Sequence, residues 1–166
     1  MTVISSSTNA DELTLELVAE FDAPPERVWS VWEDPRKLER WWGPPGYPAT
    51  FTRHEFEVGG QSRYYMTGPE GEKHFGWWRI DALEDPRRIE FANGLAGNDG
   101  EPVPGLPPAG GVVELENRTN GGTRMLVRTE FVNVEQMERM LEMGMQEGMR
   151  MALGQIDALL GEPVAA

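Results

Sequence analysis

Cysteine is absent from the 166 residues, and histidine occurs only twice. The first absence excludes disulfides and thiolate zinc sites and fits a reducing, cytoplasmic setting. The second leaves His54 and His74, too far apart in sequence to suggest metal-ligand spacing. The acidic run Asn98-Asp99-Gly100-Glu101 lacks the remaining positions of a calcium loop. No phosphate-cradling glycine loop ends in the required lysine, and no serine sits in a nucleophile-elbow motif. The chain therefore suggests no metal, no cofactor and no evident catalytic constellation. Long hydrophobic runs are missing too: nothing approaches the ~20 apolar residues of a membrane span. Basic charge is scarce, with 15 Lys and Arg against 28 Asp and Glu and a net charge of −13. Such a surface repels phosphate backbones and anionic lipid, so nucleic acid is not an expected partner. The opening MTVISSSTNA has neither the basic start nor the apolar core of a signal peptide and reads as a disordered tail over residues 1–10.

What the chain does have is six Trp and nine Met, large and adaptable apolar side chains that suit both cores and ligand cavities. Its length suits one domain, placed at 11–162. Leu13 to Phe21 alternates apolar and polar residues and predicts a strand with one buried face. Asp22 with Pro24-Pro25 starts a helix carrying Val28, Trp29 and Trp32, and a second short helix begins near Asp34-Pro35. Strands are expected at Thr50–Val58, Ser62–Thr67, His74–Ala82, Arg88–Asn93, Gly111–Arg118 and Thr123–Phe131. Thr119-Asn120-Gly121-Gly122 forms a hairpin turn in which Asn-Gly supplies positive φ angles. Residues 94–111 form a Gly- and Pro-rich loop, long enough to serve as a mobile flap or lid. From Val134 to Leu160 one long amphipathic helix places Met137, Leu141, Gly144, Met145, Gly148 and Ile156 on one stripe. Strand, two short helices, about six strands and a long helix make an α+β fold: an antiparallel sheet of about seven strands wrapped around its terminal helix.

The segment FDAPPERVWSVWEDPRKLERWWGP resembles the opening of the START-like SRPBCC superfamily. Within it, the chain is similar to the family of the activator of heat-shock-protein-90 ATPase, C-terminal-domain type. Pro25 to Trp29, Asp34-Pro35, Trp41 to Pro44, EFEVGGQSRYYMTGPEG at 55–71 and NDGEPVP carry the likeness, which spans roughly 13–161. It implies the helix-grip fold and a cavity between sheet and helix for a small apolar or lipidic ligand. It does not by itself fix an activity. Met149 stands where many relatives have an aromatic residue. The family's chaperone activator has a further N-terminal domain for which this chain has no room, so a chaperone partner is not expected.

Candidate cavity residues follow from the strand faces and the helix stripe: Trp42, His54, Phe56, Tyr64, Met66, Phe91, Met125, Val127, Phe131, Leu141, Met145 and Gly148. Gly144 and Gly148 each cost about 1 kcal/mol in a helix. They serve either close packing on the sheet or room for a ligand. Six Met between Met137 and Met151 serve either core or an adaptable pocket. His54 is a satisfied core histidine or a group that polarises a carbonyl or acts as a base. Tyr64 is a satisfied core tyrosine or a ligand hydrogen bond. Of Trp41 and Trp42, the second is expected to be the more exposed. Which of Trp77 and Trp78 faces inward stays open.

Three functions fit. The chain binds or carries a small hydrophobic or aromatic molecule; or it is a cyclase- or aromatase-like enzyme using His54 and Tyr64; or it is a chaperone-associated protein docking through an apolar patch near Trp42 or the flap. A homodimer stays open.

Overall fold

Apolar residues at every second position of the fourteenth to twenty-first residues lay down a buried row on one sheet face. In the computed structural model, which describes residues 3–161, Leu15, Leu17, Ala19 and Phe21 are all buried. They lie on β2 (Thr14–Phe21). The other strands are β1 (Val3–Asn9), β3 (Ala49–His54), β4 (Gln61–Thr67), β5 (Lys73–Glu84), β6 (Arg88–Leu95), β7 (Ala109–Asn117) and β8 (Thr123–Glu130). They form one antiparallel sheet in the order β1-β2-β8-β7-β6-β5-β4-β3. The eighth strand is β1. It occupies residues expected to be a disordered tail and pairs with β2 from Val3↔Ala19 to Asn9↔Thr14. Its run of Ser and Thr carries no hydrophobic alternation, so periodicity could not announce an edge strand. Residues 1 and 2 of that expected tail, and residue 162 of the expected domain, lie outside the described residues.

Helices α1 (Pro25–Glu33) and α2 (Pro35–Leu38) connect β2 to β3. Proline occupies the first turn of each, where its missing N–H costs nothing. Asp34 separates them, its side chain accepting from Arg36 N at 2.9 Å. Val28, Trp29, Val31 and Trp32 of α1 are buried. Residue 38 onward leads Trp41 inward, where its indole donates to the Val31 carbonyl at 2.9 Å.

The expected single terminal helix is three segments: α3 (Val134–Glu142), α4 (Met145–Leu153) and α5 (Ile156–Leu160). Asn133 caps α3 by accepting from Gln136 N at 2.8 Å. Gly144 adopts φ +86°, a left-handed conformation that ends α3. A second short interruption falls at Gly154-Gln155. The breaks leave α4 as a separate element, fastened at one end by Gln146 to Ser6 of β1 and at the other by Gln155 to the Gly43 carbonyl.

Strand ends differ by a few residues from expectation. The largest difference is at β3, which stops at His54 because residues 55–60 turn back, with Gly59 at φ +82°. The 119–122 turn is present, but only Gly121 has positive φ. Asn120 acts instead through its side chain, which accepts from Gly122 N at 3.0 Å. On β5, Gly76, Trp78 and Ile80 face inward and are buried. Trp77 lies on the outer face, its indole against Gly94. Among the described residues no helix is long and apolar enough to cross a membrane.

Candidate functional site

Between the concave sheet face and α4 lies an apolar cavity of about 240 Å³. Its walls come from the α2–β3 connection (Trp41, Trp42), from β4 (Tyr64, Met66), β6 (Phe91, Asn93) and β8 (Val127, Thr129), and from the helical segments (Met145, Gly148, Met149). A cavity of about 150 Å³ holds benzene, and pockets for drug-sized ligands start near ~300 Å³. This one lies between those two sizes.

Seven of the twelve candidate residues line it: Trp42, Tyr64, Met66, Phe91, Val127, Met145 and Gly148. Five do not. Met125 is fully buried in the core, and Phe131 lies beyond the end of β8, where its N–H bonds the Leu13 carbonyl. Leu141 packs against the core on α3. Phe56 falls in the turn after β3, edge-on to Trp29 at 5.5 Å. His54 is at the end of β3, against Phe51, Phe56 and Trp78.

His54 is the sharpest departure. Its Nε2 lies 3.0 Å from the Trp32 carbonyl and its Nδ1 2.8 Å from Ser62 Oγ. A carbonyl only accepts, so Nε2 carries the proton and Nδ1 accepts from the Ser62 hydroxyl. Both nitrogens are engaged, and neither reaches the cavity to act with Tyr64. Burial holds the ring's pKa below the ordinary histidine value, against the opposing pull of the Trp32 and Glu33 backbone and of Asp34. The unfolded chain therefore binds the proton more tightly. Stability is expected to stay level above pH ~6.5, the free histidine value, and to fall as pH drops through it. Urea unfolding against pH, compared with His54→Gln, checks this: the variant should lose that component of the decline, and an unchanged profile would exclude His54 as its source.

Two further polar lining residues, Thr129 and Asn93, enter through register. Thr129 lies opposite Gly111, and Asn93 opposite Ala109 and Trp78. Asn93 shares the inward parity of Ile89 and Phe91, a signal that strand alternation did contain. Gly111 is needed because the Phe91 ring covers it: a Cβ there would lie 2.5 Å from that ring. A Cβ at Gly148, by contrast, would meet nothing within 4 Å. Close helix packing is therefore not the reason for either helix glycine. Gly144 supplies a left-handed break, and Gly148 leaves open space facing the cavity.

The wall around Tyr64 is aromatic throughout. Phe51 stacks on it at 5.0 Å, and Trp42 and Trp78 stand edge-on at 6.0 and 6.4 Å. Burial pushes the phenol's pKa up, and the nearby indoles of Trp42 and Trp78 pull it partway back. Neither indole N–H reaches full hydrogen-bond geometry with any partner. Trp42 is half-buried and Trp41 fully buried, in the order expected. The expected 94–111 loop is shorter, 96–108, because β6 runs to Leu95 and β7 starts at Ala109; it leaves β6 at Leu95, which borders the cavity. It is tied down by Val103 N to the Leu95 carbonyl and by Gln136 to the Pro107 carbonyl. The Leu95 and Leu106 side chains are exposed.

A family model described as Activator of Hsp90 ATPase homolog 1-like protein matches residues 22–161. Comparison with curated proteins finds no match. Among solved structures, a protein from Arthrobacter aurescens is 52% identical, with a TM-score of 0.92 over 98% of this chain and 94% of that one. A protein from Mycobacterium smegmatis is 40% identical, with a TM-score of 0.89 over 98% and 99%. The AHSA1 protein from Silicibacter pomeroyi shares the fold at 22% identity, with a TM-score of 0.70 over 89% and 96%.

Proposed function

The chain belongs to the Activator of Hsp90 ATPase homolog 1-like family of the START-like SRPBCC superfamily, and from that premise we propose that it binds one small hydrophobic or aromatic molecule in the cavity between sheet and α4. The observation that carries this reading is Gly148. It sits within a helix, where glycine is disfavoured by about 1 kcal/mol, and its missing side chain leaves unfilled space. A core that needed only stability would place a larger residue there. Aromatic and thioether walls favour an apolar guest and tolerate variation in its shape. The pairing of His54 with Tyr64 as acid and base gains no support, because His54 is spent on Trp32 and Ser62. On this proposal the protein is a binding or carrier module of the cytoplasm, the reducing setting that a chain without cysteine fits.

Native mass spectrometry of gently purified protein, followed by titration with the uncharged fluorophore phenylnaphthylamine, tests the reading. Saturable fluorescence enhancement at one probe per chain, or a defined co-purifying small molecule, is the expected result. An empty protein that takes up no probe would overturn it.

A further inference from the structure

The ligand's chemistry can be read from the hydroxyl on the cavity's aromatic wall. Tyr64 lines the cavity, and among the described residues no side-chain hydrogen bond is made by its hydroxyl. The ring is held from three sides, by Phe51, Trp42 and Trp78, and its hydroxyl end lies over Gly76. A Cβ at position 76 would fall 2.3 Å from the Tyr64 oxygen, so glycine is required there for the phenol to take this position. The indole N–H groups of Trp42 and Trp78, beside the same ring, are buried without a partner, so this wall is short of acceptors rather than of donors. The Tyr64 O–H proton, unpaired like those two N–H groups, also requires an acceptor. Burial keeps the phenol neutral, so the hydroxyl retains the proton it can donate.

The lining also excludes charge. Arg128 is its one charged residue, and its guanidinium is drawn to Glu130 at 3.2 Å and Glu114 at 4.0 Å. Those residues alternate outward from buried Thr129, Val113 and Leu115. A carboxylate guest would find no counter-ion in the apolar space, and burying an unpaired charge is prohibitive.

Resting on the binding function proposed above, we propose that the ligand is a small uncharged molecule of one or two rings bearing a carbonyl oxygen, and that Tyr64 donates its hydroxyl proton in a hydrogen bond to that oxygen. The class comprises aromatic ketones, aldehydes, esters and quinones. Phe91, Val127 and Met149 enclose the apolar body of such a guest.

The test uses two probes of matched shape, acetylnaphthalene and isopropylnaphthalene, with naphthoate as the charged control. Each is titrated into the full chain and into Tyr64→Phe. The variant is expected to bind acetylnaphthalene about 3- to 10-fold more weakly, the range of one net hydrogen bond, and isopropylnaphthalene within twofold of the parent. Infrared spectra of bound acetylnaphthalene provide a second readout that needs no variant. The carbonyl stretch should lie below its position in an apolar solvent, and return towards it in Tyr64→Phe. Equal effects of the variant on both naphthalenes, or a carbonyl stretch at the apolar-solvent position in the parent protein, would overturn the inference. Tighter binding of naphthoate than of acetylnaphthalene at neutral pH would overturn the uncharged class. If neither neutral probe enters the cavity, the binding function itself fails and this inference with it. Uptake of both without discrimination removes only this inference.

Discussion

Replacing Gly148 with phenylalanine is expected to abolish uptake of apolar probes while leaving the protein folded. The backbone at 148 is helical and does not need positive φ, so an L-residue fits without strain. A Cβ there meets nothing within 4 Å, and the direction it opens is the cavity. A benzyl side chain then occupies the space meant for the guest. Since about 150 Å³ suffices for one benzene, the ring takes more than half of the roughly 240 Å³ present. Affinity for phenylnaphthylamine should fall at least ~100-fold, or about 2.7 kcal/mol. Stability should hold or rise, because removing a helix-interior glycine contributes about 0.5–1 kcal/mol and the ring gains burial. Probe titration and thermal unfolding on the same variant separate the outcomes. Undiminished binding would place the guest elsewhere. Lost binding together with a lower melting temperature would mean that the site had collapsed rather than filled.

How far the sequence carried the site depends on which signal each residue gave. Strong alternation placed β2 and β8 well: Leu15, Leu17, Ala19 and Phe21, with Val127, face inward as expected. The same rule failed at His54 and Phe56. It assumed that β3 continued to Val58, whereas the strand ends at His54 and the turn carries Phe56 toward Trp29. Parity along a strand holds only while the strand lasts. At Trp77-Trp78 the sequence offered two bulky residues and no preference. Pairing of Trp78 with Asn93 and Ser62 places Trp78 in the core. Helical periodicity fared similarly. The stripe from Met137 to Ile156 was legible, yet the helix is broken at Gly144, which the wheel treated as one more inward position. A glycine that relieves a helix and a glycine that terminates one look alike in sequence, and only the φ of +86° at Gly144 separates them. The β1 strand was illegible for a different reason. It is an edge strand whose register comes from backbone pairing with β2, and only Val3 supplies the core.

Trp32→Ala is expected to be the most damaging single substitution in the aromatic wall. The indole is fully buried and has four aromatic neighbours: Trp41 at 4.7 Å, Trp42 at 6.2 Å, Trp78 at 6.3 Å and Phe91 at 6.4 Å. Truncating a buried Trp costs about 3–5 kcal/mol through lost transfer energy and the void left behind. That is a large share of the ~5–15 kcal/mol that holds a domain together. Urea unfolding should show a lower midpoint at unchanged m. Binding should weaken as well, since Trp42 and Phe91, two cavity walls, lose the group behind them. The nature of the loss can be resolved further with Trp32→Phe. The Trp32 indole N–H is buried without a partner, and such a group costs about 1–3 kcal/mol. Phenylalanine removes that group and keeps most of the apolar surface, so it should recover at least half of what alanine loses. Equal losses in the two variants would show that the wall needs the full indole volume and that a single ring does not support it.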